Sequence, residues 1–180
     1  MSDAPAHSRV ILAIDPGSRR SGFGVVAVTG QHQQYVTSGC IELAELGDIS
    51  ARLDVLFNAI TELIATHAPN EFAIEQVFMG RNAASALKLG QARGAAIVAA
   101  TQAHLPVFEY AARQVKQSVV GVGQADKQQV QQMVMRLLKL PGLPQEDAAD
   151  ALAIALCHIQ YRQNLARLGS GLTVRRGRAR

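Results

Sequence analysis

Residues 10–28 read VILAIDPGSRRSGFGVVAV, and they predict two neighbouring strands joined by a tight turn. Residues 10–14 form a continuous apolar run, which is typical of a strand buried on both faces. The run ends at Asp15, and the Pro-Gly-Ser sequence at 16–18 signals a turn. A β-rich run at 22–28 follows after a connection that is too short for a crossover helix. The two strands are therefore expected to pair antiparallel.

The rest of the chain alternates strands with helices. Further predicted elements are strands at 34–43, 72–75 and 107–110, and helices at 49–67, 82–103, 111–118, 125–139 and 144–165. Right-handed crossovers would place the first, fourth and fifth strands parallel to one another. The sequence therefore predicts an α/β fold with a five-stranded mixed sheet and helices on both faces.

The length and composition favour one domain between two polar ends. The chain has 180 residues, 48% of them hydrophobic, which is enough for one core. Residues 9–167 form the predicted domain, residues 1–8 are expected to be disordered, and residues 168–180 form a basic, disordered tail. No apolar run is long enough for a membrane span, and no signal peptide is recognisable, so a cytoplasmic location is expected.

Three features of the sequence argue against other classes of protein. The cysteines, Cys40 and Cys157, are far apart and form no CxxC pair, which argues against a zinc ribbon or a disulfide framework. Aromatic residues make up only 4% of the chain, so a base-stacking platform is not expected. No GxxxxGK[ST] motif is present, which argues against a P-loop ATPase.

Positive charge is concentrated in the middle of the chain. Residues 76–136 carry seven basic residues and two acidic ones. A polyanionic partner fits this excess, because lysine and arginine gain affinity by releasing phosphate counterions. Candidates for positioning phosphates are Arg81, Lys88 and Arg93. The alternative for each is an ordinary solvated charge.

Four acidic residues lie next to apolar segments. Asp15 and Glu75 each end a predicted buried strand, and the carboxyl ends of parallel strands line the ligand crevice of open α/β sheets. Asp147 and Asp150 are three residues apart on the last helix, within the apolar sequence DAADALAIAL. Taken singly, Asp15 could form a turn, Glu75 could be a solvated strand end, and the helix acids could face the helix dipole.

Taken together, the four acids predict a metal site. Buried carboxylates without partners are costly, and a divalent cation would relieve their mutual repulsion. An all-oxygen donor set favours Mg²⁺ or Mn²⁺ over Zn²⁺, and the five histidines show no ligand spacing. Carboxylates in basic surroundings are what two-metal hydrolysis of a phosphodiester requires.

Five segments, in this order, resemble those of one known family. They are IDPGS at 14–18, FAIEQVF at 72–78, SALKLGQARG at 85–94, VFEYAARQVK at 107–116 and DAADALA at 147–153. The chain is similar over about residues 9–165 to the RuvC family of bacterial Holliday junction resolvases. The resemblance implies a ribonuclease H-like fold and a homodimer that cuts four-way DNA junctions by paired symmetric nicks, leaving 5′-phosphate and 3′-hydroxyl ends. It also implies Mg²⁺, at up to two ions per subunit with Mn²⁺ as a possible substitute, and cooperation with the RuvA–RuvB branch-migration complex.

The resemblance also assigns roles to individual residues. The family's metal-binding catalytic carboxylates match Asp15, Glu75, Asp147 and Asp150. Lys116 and Lys127 match lysines needed near the scissile phosphate, and Phe78 matches an aromatic that contacts bases at the junction. The residues expected to bind DNA are Phe78, Arg81, Lys88, Arg93, Arg113, Lys116 and Lys127. From the residues alone, a core aromatic is the favoured interpretation of Phe78, and solvated charges are the favoured interpretation of the two lysines.

Three other functions remain open on the sequence. A junction-binding protein of the same fold that does not cut would not need four carboxylates, and an actin-like kinase would need a second lobe that 180 residues cannot supply. A related enzyme acting on RNA is disfavoured only by the resemblance.

Gly90 and Gly94, one turn apart on the Ala-rich helix, are expected to allow close packing in a dimer.

Overall fold

The structure is a computed structural model that describes residues 8–45, 47–77 and 83–171, with only the backbone at 169–171. Its strands are β1 (Arg9–Asp15), β2 (Arg20–Thr29), β3 (His32–Glu42), β4 (Glu71–Glu75) and β5 (Val107–Tyr110). Its helices are α1 (Ile49–His67), α2 (Ala83–Gln102), α3 (Ala112–Val120), α4 (Lys127–Leu137) and α5 (Glu146–Gly171).

The five strands form one mixed sheet in the order β3-β2-β1-β4-β5. The first three strands form an antiparallel meander, and β4 and β5 extend it in parallel with β1. This confirms the predicted α/β sheet and the parallel arrangement of its first, fourth and fifth strands. Gly30, with a φ of 62°, lets the chain turn sharply between β2 and β3, so pairing begins at once with Thr29 opposite His32.

Helices cover both faces of the sheet, as predicted. On one face, α1 and α2 pack over Leu12, Ile14 and Phe72. On the other, α5 crosses the sheet with α3 and α4 beside it, over Ile11, Ala13 and Val26. The alternation of buried side chains along β1 between these two clusters explains why its sequence is apolar at every position rather than at every second one.

The last helix is longer than its apolar pattern predicted. It runs to Gly171 rather than to about residue 165, so the predicted boundary between domain and tail at 167/168 falls inside α5. Beyond Ile159 the helix becomes progressively exposed, although Tyr161 still contacts Tyr110 and Arg162 still pairs with Glu71. The predicted disorder of residues 1–7 and 172–180 lies outside the described residues. Within the described ranges, no helix combines the length and the apolar content needed to cross a membrane.

Candidate active site

Asp15 and Glu75 lie side by side where two parallel strands end. Ile14 of β1 is opposite Ile74 of β4, so the next residue on each strand emerges at the same edge of the sheet. Burial raises the pKa of Asp15, and the neighbouring Glu75 carboxyl group raises it further, which shows that the two side chains lie close together. The prediction that these two acids converge is therefore confirmed by the sheet register.

A tight turn after β1 holds Asp15 in place. The Ser21 hydroxyl donates to the Gly17 carbonyl oxygen at 3.1 Å and accepts from the Gly17 amide at 3.0 Å. A Cβ atom at Gly17 would overlap the Arg20 carbonyl oxygen, so the turn requires glycine there. The buried Ser21 thus ties the turn to the start of β2.

Gly22 brings the start of α5 onto this edge of the sheet. It is the cross-strand partner of Asp15, and a Cβ atom there would overlap the carbonyl oxygen of Asp147. Gly24 on the same face leaves room for Leu152, whose Cδ2 would lie 2.8 Å from an added Cβ. The two glycines let the helix backbone approach the strand closely enough for the helix acids to lie near Asp15.

Three of the four predicted acids share one cleft. Asp15, Glu75 and Asp150 line a cavity of about 300 Å³ together with Lys116 and Lys127. Burial raises the pKa of Asp15 far above its ordinary value, and the bond to Glu75 and the charges of Glu75, Asp150 and Asp147 add to the rise. Burial likewise raises the pKa of Asp150 to about 6, against the lowering effect of Lys127. The acids of the cleft therefore resist ionisation, and a divalent cation would relieve the repulsion between them.

Asp147 points into a neighbouring cleft, contrary to the expectation of a single pocket for all four acids. It lies with Arg20, Cys40 and Glu42, and the Cys40 thiol donates to its Oδ2 at 3.5 Å. Cys40 is opposite Gly22 on β3, so Asp15, Gly22 and Cys40 form one row across three strands. Because the backbone of Asp147 sits over the middle of that row, its side chain reaches the β3 side while Asp150 reaches the β1 side.

The donor set fits a hard divalent cation, although the side chains are not gathered into a ligand sphere. In the described part of the chain, no group of three or more His, Cys, Asp or Glu residues is arranged so that it could hold a metal ion as it stands. The oxygen donors are nevertheless of the type that Mg²⁺ prefers, and the pKa values of Asp15 and Asp150, raised first by burial and further by neighbouring carboxyl groups, show that ionising them without a cation is costly. Asp147 would have to leave Cys40 to join them.

Two lysines enter the cleft from α3 and α4. Lys127 begins α4, which is capped by Asp126 and Gln129 in a reciprocal capping box. Its ammonium group bonds to Glu146 and lies 3.9 Å from Asp150 Oδ2. The bond to Glu146 raises the pKa of Lys127, so this lysine keeps its charge. Lys116 lines the same cleft, and its role near a phosphate stays a prediction.

The other residues expected to bind DNA have different surroundings. Arg93 forms an ion pair with Glu109 on β5, so a phosphate contact would require that pair to open. Arg113 packs against Gly123, and Lys88 is exposed on α2. Phe78 and Arg81 lie outside the described residues. Contact with DNA remains a prediction for all of these residues.

Sequence reasoning missed Gly22, Cys40 and Glu146. The signal for Gly22 was available, because a glycine inside a strand indicates close approach of another backbone. Cys40 and Glu146 carried no such signal, since a lone cysteine on a strand and an acid at a helix start are both common in unrelated proteins. Their contacts depend on how α5 lies on the sheet, which no local pattern specifies.

Comparison with known proteins agrees with this geometry. Residues 11–158 match a family model described as crossover junction endodeoxyribonuclease RuvC. A protein of that name from Pseudoalteromonas translucida is 60% identical over 172 residues, covering 95% of this chain and 98% of the relative. Another, from Shewanella sp. strain W3-18-1, is 57% identical over 166 residues, covering 92% and 95%.

Solved structures show the same architecture. The structure of T. thermophilus RuvC in complex with Holliday junction substrate superimposes with a TM-score of 0.80 at 36% identity, covering 89% of this chain and 96% of that one. The yeast mitochondrial Holliday junction resolvase Ydc2 shares the fold, with a TM-score of 0.63 at 14% identity over 92% of this chain and 86% of that one. The sheet, with its helices on both faces, is ribonuclease H-like. On its sequence and its fold alike, the chain belongs to the RuvC family.

Proposed function

We propose that this chain is a crossover junction endodeoxyribonuclease, which resolves four-way DNA junctions by paired symmetric nicks during recombination and repair. The observation that carries the proposal is the cleft in which Asp15, Glu75 and Asp150 meet Lys116 and Lys127. Three carboxylates and two lysines in one cavity suit a phosphodiester bond, because the acids can hold cations while the lysines attract the phosphate. RuvC nucleases are metal-dependent enzymes.

The proposed cofactor is Mg²⁺, at up to two ions per subunit, with Mn²⁺ as a possible substitute. Asp15, Glu75 and Asp150 would hold it, joined by Asp147 once that side chain turns from Cys40. When bound, the cations supply Lewis-acid activation of water and stabilise the departing 3′ oxygen. Loss of the Asp15 proton must accompany binding, because a carboxylate ligates only in its ionised form.

The two lysines act on the phosphate. Lys116 lies in the cleft and would neutralise charge that develops on the phosphoryl oxygens. Lys127 would exchange its contacts with Glu146 and Asp150 for a phosphate oxygen when DNA enters. Cleavage on this arrangement leaves a 5′-phosphate and a 3′-hydroxyl, the ends that a ligase can rejoin.

Paired cutting needs two such clefts, and we propose a homodimer formed through α2. Leu87 and Val98 are 71% and 48% exposed on this helix, and Gly90 and Gly94 lie between them with no neighbouring atom within 4 Å of an added Cβ. These four positions recur at helical spacing, so they form one exposed face, with two glycines between two apolar side chains, that a second copy can approach. A two-fold dimer matches the two-fold symmetry of a four-way junction.

Two further parts of the proposal depend on family membership. Cooperation with the RuvA–RuvB branch-migration complex follows the pattern of the family, as does a cytoplasmic location. Lys88, Arg93, Arg113, Phe78 and Arg81 are proposed as further DNA contacts.

The decisive assay compares a labelled four-way junction with a linear duplex of the same sequence. With Mg²⁺, the wild-type protein is expected to nick two opposite strands of the junction at symmetric positions and to leave the duplex uncut. In EDTA, it should bind the junction without cutting it. A protein that binds the junction but never nicks it, with any divalent cation, would support a binding module instead, and equal cutting of duplex and junction would contradict the proposed specificity.

A further inference from the structure

A buried hydrogen-bond chain joins α5 to two strands of the sheet, away from the cleft. His158 on α5 is completely buried. Its Nδ1 lies 2.7 Å from the hydroxyl of Tyr110 at the end of β5, and its Nε2 lies 2.8 Å from Oε2 of Glu71 at the start of β4. The cleft residues described above make none of these contacts.

The positions of the protons in the Tyr110–His158–Glu71 hydrogen bonds can be assigned from the surroundings of these three residues. Burial lowers the pKa of His158, so the ring is neutral, and burial raises the pKa of Tyr110, so the phenol keeps its proton. Tyr110 therefore donates to Nδ1, and the Nε2–H group donates to Glu71. Arg162 lies 3.0 Å and Arg9 3.6 Å from the other oxygen of Glu71, which balances its charge. Each polar side-chain group of Tyr110, His158 and Glu71 therefore has a partner.

Most other contacts of α5 with the sheet are apolar. Leu152, Ala155 and Ile159 of α5 are buried in the cluster on this face of the sheet. Apolar contact is non-directional, whereas hydrogen bonds fix both distance and angle. Gly22 and Gly24 set how closely the helix approaches the sheet. The hydrogen bonds of His158, with the Cys40–Asp147 bond at the start of α5, are directional contacts that can set the helix's position along the sheet.

The position of α5 decides where Asp150 lies. Asp150 is eight residues before His158, which is about 12 Å along a helix axis, so an axial shift at one is transmitted to the other. The side of the cleft that faces Asp150 belongs to the strands that carry Glu71 and Tyr110. Strand β4 carries both Glu71 and Glu75, and Glu75 is opposite Tyr110 on β5. The amide of Gln76 donates to the Tyr110 carbonyl oxygen at 2.9 Å, which ties the two strand ends together.

We propose that Tyr110, His158 and Glu71 are positioning residues, which hold α5 in register with the sheet and so set the separation between Asp150 and the Asp15–Glu75 pair that a divalent cation must span. This inference rests on the proposed function, since it concerns the metal-binding cleft of that nuclease. It predicts that breaking the chain weakens metal binding without weakening the binding of DNA.

The test compares Tyr110→Phe with Tyr161→Phe. Both delete one hydroxyl, but Tyr161 is 42% exposed on α5 and contacts the ring of Tyr110 only by its edge. Calorimetric titration of the free protein with Mn²⁺ gives metal affinity, and the Mg²⁺ concentration for half-maximal junction cleavage gives the same quantity with DNA. For Tyr110→Phe we expect both to weaken on the order of 10-fold. Junction affinity in EDTA should stay within about 2-fold of wild type, because the lysines are untouched, and Tyr161→Phe should match wild type throughout.

Folding and function are separated by two further measurements. If Tyr110→Phe does not fold, as judged by its melting curve, Glu71→Gln replaces it, since this change keeps the side-chain shape while removing the charge that His158, Arg162 and Arg9 contact. Unchanged Mn²⁺ affinity in a folded variant overturns the inference. If the wild-type protein cuts no junction but Tyr110→Phe still binds Mn²⁺ more weakly, the nuclease proposal fails while the positioning role stands.

Discussion

At the scale of single residues, Asp15 carries the clearest electrostatic signature. Its folded-state pKa lies far above the ordinary value of 3.8, because of burial first and of Glu75 second. A carboxyl whose pKa is raised on folding contributes stability that is complete below its unfolded pKa and is lost as pH rises through its folded pKa. Without metal, the contribution of Asp15 to stability should therefore decline as pH rises from 3.8 to about 9.

Asp15→Asn should remove most of this pH dependence. Asparagine resembles the protonated carboxyl group, so the variant should melt several degrees higher than wild type at pH 8 in EDTA, and its melting temperature should fall less steeply with pH. Differential scanning calorimetry across the pH range measures both. Parallel curves for wild type and variant would show that Asp15 is not held in its protonated form. Mg²⁺ should stabilise wild type more than Asp15→Asn.

Gly22 tests how closely α5 must approach the sheet. Gly22→Ala places a methyl group on the Asp147 carbonyl oxygen, so the start of α5 has to move. We expect junction cleavage to fall by about 100-fold and the melting temperature by several degrees. Gly142→Ala is the control, because an added Cβ there meets no atom within 4 Å. Wild-type cleavage by Gly22→Ala would mean that this contact does not position the acids.

At the scale of elements, α4 matters because it delivers Lys127 to the cleft. Its capping box begins the helix at that residue, and Lys127 contacts Glu146 and Asp150. Lys127→Met should lower the cleavage rate by about 100-fold and change junction affinity much less, because the lysine acts on charge that develops during the reaction. Arg136→Met, at the other end of α4, is the matched control for cleavage rates under single-turnover conditions. Equal cleavage rates for the two variants would show that Lys127 takes no part in cleavage.

The elements themselves were largely predictable from the sequence, whereas the orientation of one side chain was not. The short link after Asp15 dictated antiparallel pairing of β1 with β2, and the crossover rule dictated parallel β4 and β5. These two rules were enough to bring Asp15 and Glu75 together. The spacing of Asp147 and Asp150 placed both on one helical face but could not show that α5 begins directly over Gly22. Because of that contact, the side chains of Asp147 and Asp150 lie in different clefts, and the contact itself depends on tertiary packing.

At the scale of the whole molecule, symmetric cutting requires the dimer. Leu87→Glu puts a charge on the exposed α2 face, so the protein should become monomeric by light scattering and should make single, unpaired nicks. Leu143→Glu is the matched control, since Leu143 is 60% exposed in the loop before α5. A dimeric Leu87→Glu variant would place the interface on another surface.

The most direct measurement is junction cleavage by wild type and Asp15→Asn in Mg²⁺, with binding of each followed in EDTA. If the acids of the cleft hold the cations that cut DNA, the variant binds the junction at least as tightly as wild type and cuts it at least about 100-fold more slowly. Asp15→Asn cutting at the wild-type rate would contradict the account, because the chemistry would then lie elsewhere than in the cleft between β1, β4 and α5.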